Sequence, residues 1–262
     1  TYEQMNADLH LLAASYPDLI TLAEIGTSVE GRTIYAARLG FGETEVFIDG
    51  AIHASEWLTA PLVMKMLEEY AHHARYGRQL DGYDVAAMLT DVTFWFIPML
   101  NPDGVTLVLE GPQATAHAAF ARQLLQEADV SRSCWKANLN GVDLNRQFPA
   151  HWAGLVNVET GPSPSHFKGW EPLSEPEARA LYDFTLERRP DMVISYHQQG
   201  DILFWYDRQT GAQLARDRRI VQGLSRTTGY PVDGELLVNG GKYMDWAVTE
   251  LGIPAVIVEV GS

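Results

Sequence analysis

The stretch FIDGAIHASEW, Phe47–Trp57, decides how the chain is read. A short apolar run leads into His53, and Glu56 follows within the same turn of chain. Extended back to EVFIDGAIH (45–53), the run reads as a strand. Beyond it Val63, Met66, Leu67, Tyr70 and Ala74 fall at helical spacing, with Pro61 in the first turn and Thr59 as its cap. A strand that ends in chemistry-bearing residues and passes into a helix is the building unit of an open α/β sheet, where ligands collect at the carboxyl ends of the strands.

Outward from this unit the alternation continues. Residues 2–15 read as a helix, and ITLAEIG (20–26) and TIYAARLG (33–40) as strands joined through TSVEGR. VTFWFIPML (92–100) and DMVISYH (191–197) are dense apolar runs of strand length, expected of central strands covered on both faces. SEPEARALYDFTLERR (174–189) opens with Ser174 and Glu177 as a capping box, and IPAVIVEVG (253–261) reads as another buried strand. Residues 128–170, rich in Gly, Pro and Asn, are too long for a passive connection and mark a candidate functional loop. The expected fold is α/β, a single domain over residues 1–262 with a mixed, largely parallel central β-sheet flanked by helices.

Composition narrows the partners. The 262 residues can bury a large core, and the formal charge of −15 argues against binding to nucleic acid or anionic membrane, both of which need Lys and Arg clusters. No apolar run approaches the roughly 18 residues of a membrane span, and TYEQMNADLH at the start is not a signal peptide. The single Cys134 excludes an internal disulfide framework and a Cys-based zinc cluster without fixing the compartment.

Three strand ends carry metal-type or acid–base residues: His53 with Glu56, His197 closing DMVISYH, and Glu259 late in PAVIVEV. Two imidazoles and a carboxylate form the ligand set of a zinc site that keeps one position open. His-x-x-Glu alone is a weak signal, and its plain reading is a strand-capping His with a Glu favouring the following helix dipole. Glu259 is harder to explain as structure, because a carboxylate in an apolar strand costs several kcal/mol unless something pairs with it or uses it. For His72, His73, His151 and His166 the plain reading is solvated surface, and for Trp57, Trp95, Trp152 and Trp205 it is core or cleft wall.

HASEW, NPDG (101–104), GVDLNRQFP (141–149), SYHQQG (195–200), MDW (244–246) and VEVG (258–261) follow the order and approximate spacing of the zinc carboxypeptidase family, the carboxypeptidase A type. WKANLNGVDLNRQFPAHW and PLSEPEARAL resemble in particular its bacterial γ-D-glutamyl-L-diamino acid endopeptidases. The resemblance implies one Zn2+ per chain held by His53, Glu56 and His197, with Asp143 behind His53. It implies Glu259 as the catalytic glutamate, Lys136 where relatives use an arginine for the oxyanion, and Asn145 and Arg146 as binders of a substrate carboxylate. Met244 takes the position that shapes the specificity pocket, and Tyr243 lies near it. The family's mobile tyrosine has no counterpart, since the count back from Asp245 lands on Leu237.

The implied function is zinc-dependent hydrolysis of the γ-D-glutamyl–meso-diaminopimelate bond of murein peptides by a bacterial protein, cytoplasmic or extracytoplasmic. Two alternatives stand beside it: a carboxypeptidase releasing C-terminal residues from α-linked peptides, and a noncatalytic module that binds cell-wall fragments.

Overall fold

The computed structural model describes residues 1–234 and 240–261. In chain order its elements are α1 (Tyr2–Ser15), β1 (Ile20–Thr27), β2 (Thr33–Gly40), β3 (Thr44–Asp49), α2 (Thr59–Arg75), β4 (Gln79–Leu80), β5 (Tyr83–Asp84), α3 (Val85–Asp91), β6 (Val92–Ile97) and α4 (Pro102–Glu110). They continue as α5 (Ala118–Glu127), α6 (Pro176–Arg188), β7 (Met192–His197), β8 (Ile202–Phe204), α7 (Gly211–Thr228), α8 (Tyr243–Thr249) and β9 (Ala255–Glu259). Seven strands form one sheet in the order β1-β2-β6-β3-β7-β9-β8, and β4 and β5 make a small separate ribbon. The central strands β6, β3, β7 and β9 pair in parallel, while β2 and β8 run against their neighbours. The mixed, largely parallel sheet expected from the sequence is present.

The dense apolar runs are explained by two-sided burial. Phe47, Trp95, Ile97 and Val193 face one core with α6 and α8, where Phe47 stacks on Phe184 at 5.0 Å between ring centroids. Their neighbours Ile48 and Phe96 face the other core, packed with Leu9 of α1 and Val63 and Leu67 of α2. Alternate side chains of each strand thus enter opposite cores, and no face is left for polar residues.

Local expectations needed three corrections. β3 ends at Asp49, short of His53, because Gly50 N–H donates to Ile97 O (3.0 Å) and Asn101 N–H to Ala51 O (3.0 Å), and Ala51 adopts a φ of 51°. Thr59 does not cap α2; its hydroxyl accepts from Ala51 N–H at 2.7 Å and donates to Glu56 O at 2.8 Å, tying the strand exit to the helix entry. Ser174 and Glu177 form no capping box, since α6 begins after Glu175 and both side chains bond to residues 138–147 or to Val29. His73 is half-buried, with its Nδ1 on Glu69 O at 2.8 Å. Trp95 and Trp205 are buried, as a core reading requires. Among the described residues no helix is long and apolar enough to cross a membrane.

Among the buried acids, Asp49, Glu177 and Asp245 are the ones that burial itself perturbs upward. Burial pushes Asp49 up to about 6, and Glu177 and Asp245 up to about 7, with Asp207 adding to the rise at Asp245 against the opposing Lys242. A carboxyl with a raised folded pKa keeps its proton in the native state after the unfolded chain has lost its own. The stability contributed by Asp245 is therefore full below its ordinary value of 3.8 and is lost as pH rises to about 7. Asp245→Asn removes this titration, so its melting temperature should fall less steeply than that of the parent between about pH 4 and 7. Thermal melts at closely spaced pH values provide the check, and parallel profiles would count against it.

Candidate metal centre and active site

The strand order brings the chemistry together. β3, β7 and β9 are consecutive in the sheet, so the turn after β3 carries His53 and Glu56 beside the end of β7 at His197. In the β7–β9 register His197 pairs with Glu259, which puts the two side chains next to each other on one face of the sheet. A short 3-10 turn over Ala54–Glu56 then swings Glu56 back beneath His53.

Glu56 is the hub. Its Oε1 accepts from His53 Nδ1 at 2.8 Å and from Lys136 Nζ at 2.9 Å, while Oε2 lies 2.8 Å from His197 Nδ1 and accepts Gln198 N–H at 3.2 Å. One ligand atom from each of His53, Glu56 and His197 lies within 4.8 Å of the others, an arrangement that could hold a metal ion. The donor chemistry fits zinc, being two imidazole nitrogens and a carboxylate oxygen with no thiolate. The second nitrogen of His53 lies 3.2 Å from Asp143 Oδ1, the outer carboxylate partner that metal-bound imidazoles characteristically have.

The electrostatics favour a cation. Burial opposes charge on His53, but the Glu56 and Asp143 carboxylates outweigh it and raise its pKa to about 9. Glu56 and Asp143, which burial alone would raise, are instead held well below the usual carboxylate range by the imidazoles. Glu56 likewise keeps the Lys136 ammonium above its ordinary value despite burial.

Other expected residues fall into three groups. Lys136, Asp143 and Glu259 stand at the triad. Asn145 is adjacent but committed: its Nδ2 lies 3.4 Å from His197 Nε2, and its Oδ1 accepts Tyr243 N–H at 3.0 Å. Arg146 sets its Nε 3.3 Å from the outer oxygen of Asp143. Met244 and Tyr243 are corrections, since both are buried in the apolar core, and the Tyr243 ring packs tilted against Phe148 while its hydroxyl hydrogen-bonds Thr185 Oγ1 at 2.7 Å. The apolar positions of α8 turn them inward. Leu237 lies outside the described residues.

Some participants escaped sequence reading. Asn101 opens α4 as its cap and sends Nδ2 to Ile52 O (3.3 Å) and Ala137 O (3.0 Å), tying the His53 turn to the Lys136 loop. The NPDG motif carried that signal, with an Asn cap before a first-turn Pro. His166, read as plain loop, is exposed but gives its backbone N–H to Asp143 Oδ2 at 3.3 Å. His151 is exposed, with Nε2 3.8 Å from Asp207.

Protein purified without added metal should carry one zinc per chain by elemental analysis, and His197→Ala should lose it. Asp143→Asn should keep the ligands but bind zinc about 10- to 100-fold more weakly. Equal affinity in that variant would remove Asp143 from the support of His53.

Comparison with known proteins agrees with the geometry. The family profile described as zinc carboxypeptidase matches residues 5–261. The chain is 34% identical to gamma-D-glutamyl-L-diamino acid endopeptidase 1 of Lysinibacillus sphaericus, over 100% of this chain and 65% of that longer protein. It is 28% identical to carboxypeptidase B of Astacus astacus over 96% of this chain and 82% of that one. The crystal structure of thrombin activatable fibrinolysis inhibitor (TAFI) superposes with a TM-score of 0.80 at 21% identity, covering 100% of this chain and 68% of that one. With the profile matched along almost its whole length and a His–Glu–His triad at the carboxyl edge of the sheet, the chain belongs to the zinc carboxypeptidase family.

Proposed function

We propose that this protein is a zinc-dependent peptidase that hydrolyses the bond between the γ-carboxyl of D-glutamate and the L-centre amine of meso-diaminopimelate in murein peptides. The observation that carries the reaction class is the Glu259 carboxylate standing in strand register beside His197 of the triad. Support for the substrate comes from similarity to the Lysinibacillus endopeptidase along 100% of this chain and 65% of that protein.

His53, Glu56 and His197 would hold a zinc ion, which would supply Lewis-acid polarisation of a carbonyl and lower the pKa of a water. Glu259 takes a proton from the attacking water at its carboxylate and passes it to the departing amine. Burial raises its pKa, and Glu56 adds to the rise against the opposing His197, so the group takes up a proton more readily than an ordinary glutamate. Lys136 directs its ammonium at the charge that develops on the carbonyl oxygen; lysine brings the charge without the two-pronged geometry of arginine. Asp143 fixes the ring of His53, and Arg146 in the same loop offers a guanidinium to a substrate carboxylate.

Arg146 also favours the second reading, a carboxypeptidase acting on α-linked peptides, because a cation beside the cleaved bond suits a free terminal carboxylate. A purely binding module has no use for a proton carrier beside its metal.

Glu259→Gln should fold and retain zinc while kcat falls by roughly 10²- to 10⁴-fold, since water loses its base and the amine its acid. Activity within about tenfold of the parent would take Glu259 out of the mechanism. For the substrate, one preparation is offered both L-Ala-γ-D-Glu-meso-diaminopimelate and α-linked peptides with free C-termini, with products read by mass spectrometry. Cleavage of the γ-D-glutamyl bond is expected; shortening of the α-linked peptides alone would make the carboxypeptidase reading correct.

A further inference from the structure

We propose that Glu177, acting with Glu175, is a positioning residue for the active site: the two carboxylates grip the Asn138 side chain and thereby set the 136–146 loop that delivers Lys136 and Asp143 to the triad. The inference rests on the reading of that loop as part of a peptidase site.

Both acids sit at the entry to α6, where an acidic residue ordinarily does no more than favour the helix dipole. Here both are buried, and beyond the N–H that Glu177 offers its own carboxylate they reach out to other segments. Asn138 Nδ2 donates to Glu175 Oε2 at 2.7 Å and to Glu177 Oε2 at 3.0 Å, and Asn140 Nδ2 donates to Glu175 Oε2 at 2.8 Å. Glu177 Oε1 accepts Val29 N–H at 3.2 Å from the β1–β2 turn. Among the described residues the partners of the two carboxylates are amides, backbone N–H groups and the Ser174 hydroxyl, so their burial is offset by aimed dipoles and not by a salt bridge. Such an arrangement is an expensive way to anchor a loop if position is unimportant.

The grip leads to the triad through few bonds. Asn138 Oδ1 accepts the N–H groups of Asn140 (3.1 Å) and Val142 (3.2 Å), and Asn138 N–H donates to Val142 O at 2.9 Å. That closed turn ends at Asp143, whose Oδ1 supports His53. Before the turn, Lys136 O accepts Ala54 N–H at 3.1 Å and Lys136 Nζ reaches Glu56. Glu177→Gln replaces one acceptor oxygen by an NH2 group. A donor then faces either Asn138 Nδ2 or Val29 N–H, and one arm of the grip is lost.

The test compares the full chain with Glu177→Gln in three measurements: hydrogen exchange across residues 138–146, the zinc dissociation constant, and kcat and KM on the peptides named above. The variant should melt near the parent and protect α6 as well. Its loop amides should exchange at least about tenfold faster, zinc should bind about tenfold more weakly, and the activity lost should appear in kcat and not in KM. A folded variant with unchanged loop exchange and zinc affinity overturns the proposal. If the parent cleaves neither peptide yet the variant loosens loop and zinc, the positioning role stands and the peptidase reading falls. Should Glu177→Gln fail to fold, Asn140→Ala, at a half-buried side chain, tests the same grip with an expected change of about threefold in exchange and zinc affinity; no change there overturns it.

Discussion

A carboxylate kept ionised out of water is the constraint around which this structure is arranged. Glu56 is only 4% exposed, and four donors from three separate parts of the chain converge on its two oxygens. An uncompensated charge at that depth costs several kcal/mol, so each donor must be delivered accurately. The turn after β3, the end of β7 and the loop at residue 136 are therefore not free to drift relative to one another. The hydrogen bonds that pin them, from Asn101 to Ile52 and Ala137, from Ala51 to Thr59 and from Thr59 to Glu56, are themselves buried.

The sheet supplies the accuracy. A parallel pair fixes which residues stand abreast, and because both faces of β3, β7 and β9 are packed, a slip by one residue would turn every apolar side chain into the wrong core. The position of Glu259 beside His197 is thus enforced by hydrophobic packing along the strands, well away from any catalytic demand. Stability and chemistry share one register.

Legibility in the sequence followed the same division. β1, β2 and β7 were readable because their apolar residues record burial, and His53, Glu56, His197 and Glu259 stood out as polar residues at the ends of apolar runs. What stayed hidden depends on contacts between distant segments. The exit of β3 is set by bonds to Ile97 and Asn101, and nothing local to residues 50–53 announces it. Met244 and Tyr243 look like pocket residues from their place in a motif, yet a seven-residue helix turns them into the core. Asn138 and Asn140, which hold the Glu175 and Glu177 carboxylates, lie more than thirty residues away, so a local capping pattern was the natural but incorrect reading.

The strand order also orders events during synthesis. β9 is the last of the described strands to leave the ribosome, and it fills the gap between β7 and β8 instead of adding to an edge. A nascent chain that has released β7 already owns all three metal-type residues but has no Glu259. Until β9 inserts, β8 has no neighbour in the sheet and Val256 and Val258 are missing from their core. All three metal-type residues therefore precede in synthesis the strand that brings Glu259 into register beside His197.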